Sequence, residues 1–493
     1  DEYQEAAVPA LRAEFAKGNK RVVLVAPTGA GKTVISLALE QLCIEAGTRV
    51  AFITSGRQLI FQKAAAAKRA GLNFSVLMSG SPFEWDPDAD LLIVSKDTFS
   101  ARIGKSLSWR DPGVFIVDEC DVSTSPKWME ILERVPLTIG LTGTPITGKG
   151  LPLPFYESLV EVAPYSKLIE SGRLVDVPLG KMFTPFRPSM KGAKVTGGDW
   201  NKLWLEGRMS KPKITGDIVE HWQKYGENRP TICFCVNKAH TAAVSDAFNG
   251  AGIQASFIID DTPQAERAEI FAATARGENQ VICNCATLTR GFDLPMLSCA
   301  ILARPTKSLR LLLQMIGRVL RASPETGKED AMVLDHSGSV LELMGWPTED
   351  RVWRIDPNAD LEALQDALRA SKGEKPPEKL CGNCKTLLFA STRVCPVCGH
   401  TKIQSANMAE TEDGKLVRVL KKRKAKGPKT EAEQLKSQWA GIIASFGKTD
   451  HQYIQAARCF QQRTGVWPEA ANLPWTVGRS DWHTKISVLF PWT

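Results

Sequence analysis

The chain has 493 residues, 43% hydrophobic and 24% charged, with a net charge of +8. Such a length exceeds what one hydrophobic core fills, so two to four domains are expected, and the composition is that of a soluble globular protein. No apolar run approaches the roughly 20 residues of a membrane span, the N-terminal Asp1-Glu2-Tyr3-Gln4 has no secretory-signal pattern, and the positive balance favours a polyanionic partner. The absence of an initiator Met suggests a few residues missing or trimmed.

From residue 20 to about 145, short apolar runs alternate with helical patterns. Arg21–Ala26, Val50–Thr54, Leu91–Ser95, Val114–Val117 and Thr138–Leu141 read as buried strands of a parallel sheet covered on both faces. Between the first strand and an apolar helix lies Ala26-Pro27-Thr28-Gly29-Ala30-Gly31-Lys32-Thr33. This is the context of a phosphate-binding loop. Gly29 and Gly31 let the backbone curl so that N–H groups point at phosphate oxygens, Lys32 suits the β/γ-phosphates, and the Thr33 hydroxyl suits Mg²⁺. Ala26 stands where the usual pattern has Gly. Further on, Asp118 and Glu119 end the strand Val114–Val117. Metal-assisted phosphoryl transfer needs one carboxylate on the Mg²⁺ shell, suiting Asp118, and another to orient the attacking water, suiting Glu119. An acidic pair alone would equally make a helix cap.

A second α/β series follows the Pro- and Gly-rich stretch around 174–196, with strands at Thr231–Cys235, Ala255–Ile259, Gln280–Cys285, Cys299–Ala303 and Ala331–Asp335. Cys233, Cys235, Cys283 and Cys285 resemble a cluster, but alternate strand positions share a face and buried packing explains them. The other cysteines outside residues 381–398 lie in or beside apolar segments, as in a reducing, intracellular compartment. After Asp356 the texture changes: a helix at 361–370, a charged Pro-rich linker at 372–379, then Cys381-x2-Cys384 and Cys395-x2-Cys398. Two such knuckles give tetrahedral thiolate ligation of Zn²⁺ in a closed, structural site, leaving no place for His400. Residues 401–430 read as a mobile connector ending in a basic run. Its Lys421, Lys422, Arg423 and Lys424 are either a solvated face or phosphate contacts. From Glu431 the spacing is helical, with Trp439, Trp467, Trp475, Trp482 and Trp492 suited to a small core or to stacking on bases.

Taken together, the phosphate loop and Asp118-Glu119-Cys120-Asp121 resemble motifs I and II of superfamily 2 helicases, and the rest of that family's series follows in order. Gln4 resembles the adenine-reading glutamine. Thr54–Gln62 and Ser95–Arg102 occupy the places of motifs Ia and Ib. Leu141-Thr142-Gly143-Thr144-Pro145 looks like motif III, and Cys233–His240 like motif IV. Ala286–Asp293 resembles motif V, and Gln314-Met315-Ile316-Gly317-Arg318-Val319-Leu320-Arg321 motif VI. Arg304-Pro305-Thr306-Lys307-Ser308 and Asp335-His336-Ser337-Gly338 are similar to the XPB- and UvsW-like branch, whose bacterial and phage members often carry a cysteine ribbon and a C-terminal tail. Asp121 stands where many relatives have His, and Arg290 where many have Glu.

The resemblance implies an α/β fold of two tandem RecA-like parallel-sheet lobes (1–175 and 176–356). A helix and linker (357–380), a four-Cys zinc ribbon (381–400), a basic linker (401–430) and a helical C-terminal region (431–493) would follow. It implies ATP and Mg²⁺ held by Gln4, Pro27 to Thr33, Asp118, Gly291 and Asp293, with catalytic roles for Lys32, Asp118, Glu119 and Gln314 and arginine fingers at Arg318 and Arg321. Arg57, Ser95, Arg102 and Thr287 would touch nucleic acid. The expected work is ATP-dependent remodelling of duplex, forked or branched DNA in the cytoplasm, at the nucleoid. An RNA helicase and the motor of a restriction or defence complex are the alternatives.

Overall fold

The computed structural model describes residues 1–102, 112–122, 125–133, 135–148, 150–184, 190, 192–196, 198–209, 212–285, 292, 294–343, 346–356, 358–372, 377–384, 386–389, 393–395, 397–401, 403–405, 410–412, 415–417 and 461. Helix α1 (Glu2–Ala16) leads into β1 (Arg21–Val25), α2 (Lys32–Glu45), β2 (Val50–Thr54), α3 (Arg57–Arg69), β3 (Phe74–Leu77) and β4 (Leu91–Ser95). There follow α4 (Lys96–Arg102), β5 (Val114–Asp118), α5 (Pro126–Leu132), β6 (Leu137–Thr142), β7 (Ser158–Glu161) and α6 (Tyr165–Glu170). The seven strands pair in parallel in the order β3-β4-β2-β5-β6-β1-β7. Both sheet faces are covered, so β1, β2 and β4 read as continuous apolar runs rather than alternating ones.

The second sheet follows the same logic. After β8 (Met182–Phe183), the hairpin β9 (Val195–Thr196) and β10 (Asp199–Trp200) and helix α7 (Lys202–Met209) come α8 (Pro212–Tyr225), β11 (Thr231–Phe234), α9 (Lys238–Gly250), β12 (Ala255–Ile258), α10 (Gln264–Ala275) and β13 (Val281–Asn284). The lobe ends with β14 (Cys299–Leu302), α11 (Leu309–Ile316), β15 (Met332–Leu334) and α12 (Ser339–Leu343). Its parallel order is β12-β13-β11-β14-β15-β8. Sequence reading missed the outer strands β3, β7 and β8: the first two are four residues long and include polar ones, and the third is only two residues long. Part of the stretch read as a Pro- and Gly-rich connector is therefore an edge strand of the second sheet. Cys233, Cys235 and Cys283 are buried on one face of that sheet, in register across β11 and β13.

Beyond α13 (Leu361–Ser371), the antiparallel strands β16 (Pro377–Cys381), β17 (Leu387–Phe389) and β18 (Ile403–Ser405) frame the four cysteines, and β19 (Glu410–Glu412) pairs with β20 (Lys415–Val417). Strands thus occur inside both the expected linker and the expected connector. The ribbon is seated on the second lobe: Phe183 of β8 bridges Thr386, and Tyr225, stacked on Phe183 at 4.6 Å, packs against the buried cysteines. The basic run Lys421–Lys424 and the Trp-rich tail lie outside the described residues. Among the described residues, no helix is long and apolar enough to cross a membrane.

Helix α2, which begins at Lys32, is tied to α3 by a buried ion pair. Lys63 Nζ lies 2.7 Å from Glu40, 2.8 Å from Ser36 Oγ and 4.3 Å from the centre of the Phe52 ring. Burial raises the Glu40 carboxyl to about 7 despite the pull of Lys63. Lys63→Met leaves that carboxyl buried without its cation and is expected to cost about 3 to 5 kcal/mol. Because the folded state then holds a proton that the unfolded state releases, the cost should shrink as pH falls and be largest above neutrality. Urea unfolding of both proteins at several pH values checks the size and the sign.

Candidate nucleotide site between the lobes

In a parallel sheet every strand ends at the same edge, so the loops after β1, β5 and β6 meet there. Gly29 and Gly31 adopt φ of +93° and +80°, a region glycine enters without strain. Their lack of Cβ also makes room, since a Cβ would come within 2.6 Å of Leu174 at Gly29 and 2.2 Å of Gln4 Nε2 at Gly31. Gln4 and Tyr3 both donate to the Ala30 carbonyl at 3.4 Å, so the start of α1 lies against the loop. Lys32 and Thr33 open α2 and face the cleft.

Asp118, at the end of β5, accepts from Thr54 Oγ1 at 3.3 Å and from the Glu119 amide at 3.0 Å. Burial, and then the neighbouring charge of Glu119, raises its carboxyl to about 6, while Lys32 pulls it down. A cation in the cleft would relieve this cost, which is the environment a Mg²⁺ ligand needs. Glu119 itself sits at φ +50°, an uncommon conformation for a residue with a side chain.

The second lobe closes the cleft from the other side. Gln314 Nε2 donates to Glu119 at 3.1 Å, and a Cβ on Gly317 would fall 2.8 Å from that of Thr28. Arg318 and Arg321 line the cleft, each donating to the Phe292 carbonyl at 3.0 Å. The cleft holds about 500 Å³ and is bordered by Thr28, Lys32, Asp118, Glu119, Arg318 and Arg321 among others. Pro27 and Ala30 belong to the same loop. Sequence reading missed Thr54 as a partner of Asp118 and the Phe292 carbonyl as a seat for both arginines.

The remaining expected residues are elsewhere or beyond description. Arg57 donates to the carbonyls of Ser79 and Gly80, and Ser95 caps α4 through Thr98, away from the nucleotide cleft. Arg102 ends α4. Thr287, Gly291 and Asp293 lie outside the described residues. In the ribbon, the sulfurs of Cys381, Cys384, Cys395 and Cys398 are all within 4.8 Å of one another. Burial pushes the Cys384 thiol up to about 12, whereas a backbone N–H at His400 holds Cys398 down at about 6. Four thiols converging this closely fit a tetrahedral Zn²⁺.

Residues 1–147 match the family model "Type III restriction enzyme, res subunit", and residues 210–323 match "Helicase conserved C-terminal domain". A Saccharomyces cerevisiae protein named as an ATP-dependent helicase, IRC3, is 26% identical over 404 residues, 77% of this chain and 58% of the yeast protein. A 51.5 kDa protein of a Lactococcus phage is 26% identical over 77% of either chain. Among solved structures, a fragment described as an HsdR subunit of a type I restriction enzyme from Vibrio vulnificus aligns with a TM-score of 0.54 at 16% identity, covering 71% of this chain and 66% of that one. The type ISP restriction-modification enzyme LlaBIII, bound to DNA, aligns with a TM-score of 0.51 at 16% identity over 68% of this chain and 27% of its own. The chain therefore spans little more than half the length of its yeast relative.

Gly317 tests the meeting of the lobes. In Gly317→Ala the added methyl group would fall 2.8 Å from the Thr28 Cβ and 2.9 Å from the Leu313 carbonyl oxygen, so the melting temperature should fall. By wedging the lobes apart at Thr28 the same methyl group should lower ATP turnover about a hundredfold. Paired melting and turnover measurements on the variant check both halves.

Proposed function

This chain belongs to superfamily 2 of the helicases, and from that premise we propose that it is an ATP-driven helicase or translocase that remodels duplex, forked or branched DNA. One observation carries the reading: Lys32, Asp118 and Glu119 of one lobe face Arg318 and Arg321 of the other across a single cleft. In this reading Lys32 holds the β/γ-phosphates, Gln4 reads the adenine, and Thr33 and Asp118 hold Mg²⁺. The ion, when bound, neutralises charge on the transferring phosphoryl group. Glu119, positioned by Gln314, orients the attacking water. Arg318 and Arg321 leave the Phe292 carbonyl to stabilise charge on the γ-phosphoryl, so their contacts differ between empty and loaded cleft. Two backbone-gripping surfaces, with Arg57, Ser95, Arg102 and Thr287 among their residues, then shift relative to each other with each turnover.

DNA is proposed as the substrate, with repair or recombination at the nucleoid as the setting, because of the family branch and the basic run Lys421–Lys424. Such a run adds affinity that weakens as salt rises. The second reading, a motor of a restriction or defence complex that moves along duplex without separating it, is favoured by the family model over residues 1–147. ATP turnover measured side by side with single-stranded DNA, duplex, fork, four-way junction and RNA distinguishes these. Forks and junctions should stimulate most. Stimulation by RNA above every DNA would overturn the proposal, and displacement of a third strand without unwinding would favour the restriction-type motor.

Lys32→Ala and Glu119→Gln should each nearly abolish hydrolysis in a folded protein, and the Glu119→Gln protein should still bind ATP, since only water activation is lost. Near-normal turnover of Glu119→Gln would remove it as the base. For the ribbon, one Zn²⁺ per chain is expected in protein purified without added zinc. Because Tyr225 and Phe183 pack beneath the ribbon, chelation should also lower the melting temperature of the second lobe. A metal-free native protein with unchanged melting would refute the zinc assignment.

A further inference from the structure

Asp121, three residues beyond Asp118, has no part in the proposed phosphoryl transfer, yet its side chain is fully buried. One carboxylate oxygen accepts from Thr142 Oγ1 at 2.7 Å, and the other accepts from Arg310 Nη1 at 3.0 Å. Thr142 ends β6, and its hydroxyl also accepts from the Thr144 amide at 3.0 Å, so it sets the turn that follows. Arg310 belongs to the other lobe, in the first turn of α11. One turn later on the same helix face stands Gln314, which reaches Glu119. After one more turn come Gly317, against Thr28, and Arg318. Helix α11 therefore touches the first lobe in its first turn, in its second turn and at its C-cap, and the first touch is an ion pair with a desolvated carboxylate.

A buried carboxylate is costly without its cation, so this pair favours the arrangement in which the lobes meet. We propose that Arg310 is a positioning residue: through Asp121 it sets the angle at which α11 presents Gln314 and Arg318, and it ties that angle to the turn after β6. The inference rests on the motor reading for its consequence in turnover, but not for its consequence in lobe arrangement. A pair serving stability alone would change the melting temperature and leave both untouched.

The test uses the full chain with Asp121→Asn, Arg310→Gln, the double variant and Arg310→Lys, each checked by circular dichroism. Turnover is measured with saturating duplex DNA, and the radius of gyration of the nucleotide-free protein by small-angle scattering. Each neutralising substitution should lower kcat about tenfold with KM for ATP within about threefold, and the double variant should be no worse than either single one. All three should scatter as a more extended particle than wild type, and Arg310→Lys should recover part of both effects. Losses that multiply in the double variant, or an Arg310→Gln protein with wild-type kcat and scattering, would overturn the assignment. If the wild-type protein turns over no ATP with any nucleic acid, the motor reading fails while the scattering comparison still decides the pair.

Discussion

The arrangement depends on how closely the end of α11 can approach the glycine loop after β1. At Gly317 there is no room for a Cβ against Thr28, and at Gly29 none against Leu174. At these glycines the backbone packs directly against a neighbouring side chain, and at Gly317 that neighbour belongs to the other lobe. The contact is supported by a shared apolar surface, since one continuous cluster of buried residues includes Val25 of the first lobe, Leu174 and Val177, and Leu320 of the second. It places Arg318 and Arg321 of one lobe on the same cleft as Asp118 and Glu119 of the other, and brings Arg310 to the buried Asp121 at 3.0 Å.

That proximity has a cost, and the side chains show how it is met. Asp118 is buried beside Glu119 and is held up in pKa accordingly. Arg318 and Arg321 both donate to one carbonyl oxygen, whose partial negative charge offsets part of the repulsion between them. Asp121 is neutralised by Arg310, and Glu40 by Lys63. Asp121 and Arg310 come from different lobes and Glu40 and Lys63 from different helices, so these elements are tied together by charges that lie behind the cleft.

The ribbon illustrates another consequence of a parallel sheet, whose outermost strand exposes unpaired backbone groups. Strand β8 is only two residues long, and Thr386 pairs with it from the ribbon. Tyr225, stacked on Phe183, fills the space beneath the cysteines. The cysteine module thus covers an edge of the second lobe.

Sequence by itself determined the two series of buried strands, the phosphate loop, the Asp118-Glu119 pair and the four-cysteine module. These are legible because strand burial, phosphate binding and thiolate ligation each demand particular residue types at short, local spacing. The outer strands β3, β7 and β8 were not legible, because segments of two or four residues hold their place only through neighbours on the sheet. Nor was Arg310 identified, although its position one turn before Gln314 was a signal that periodicity could have used. Asp121 looked in sequence like a departure from a pattern, and only the fold shows it between Thr142 and Arg310. Contacts that join residues 121 and 310, or 28 and 317, arise from the packing of one lobe on another, and local spacing carries no record of them.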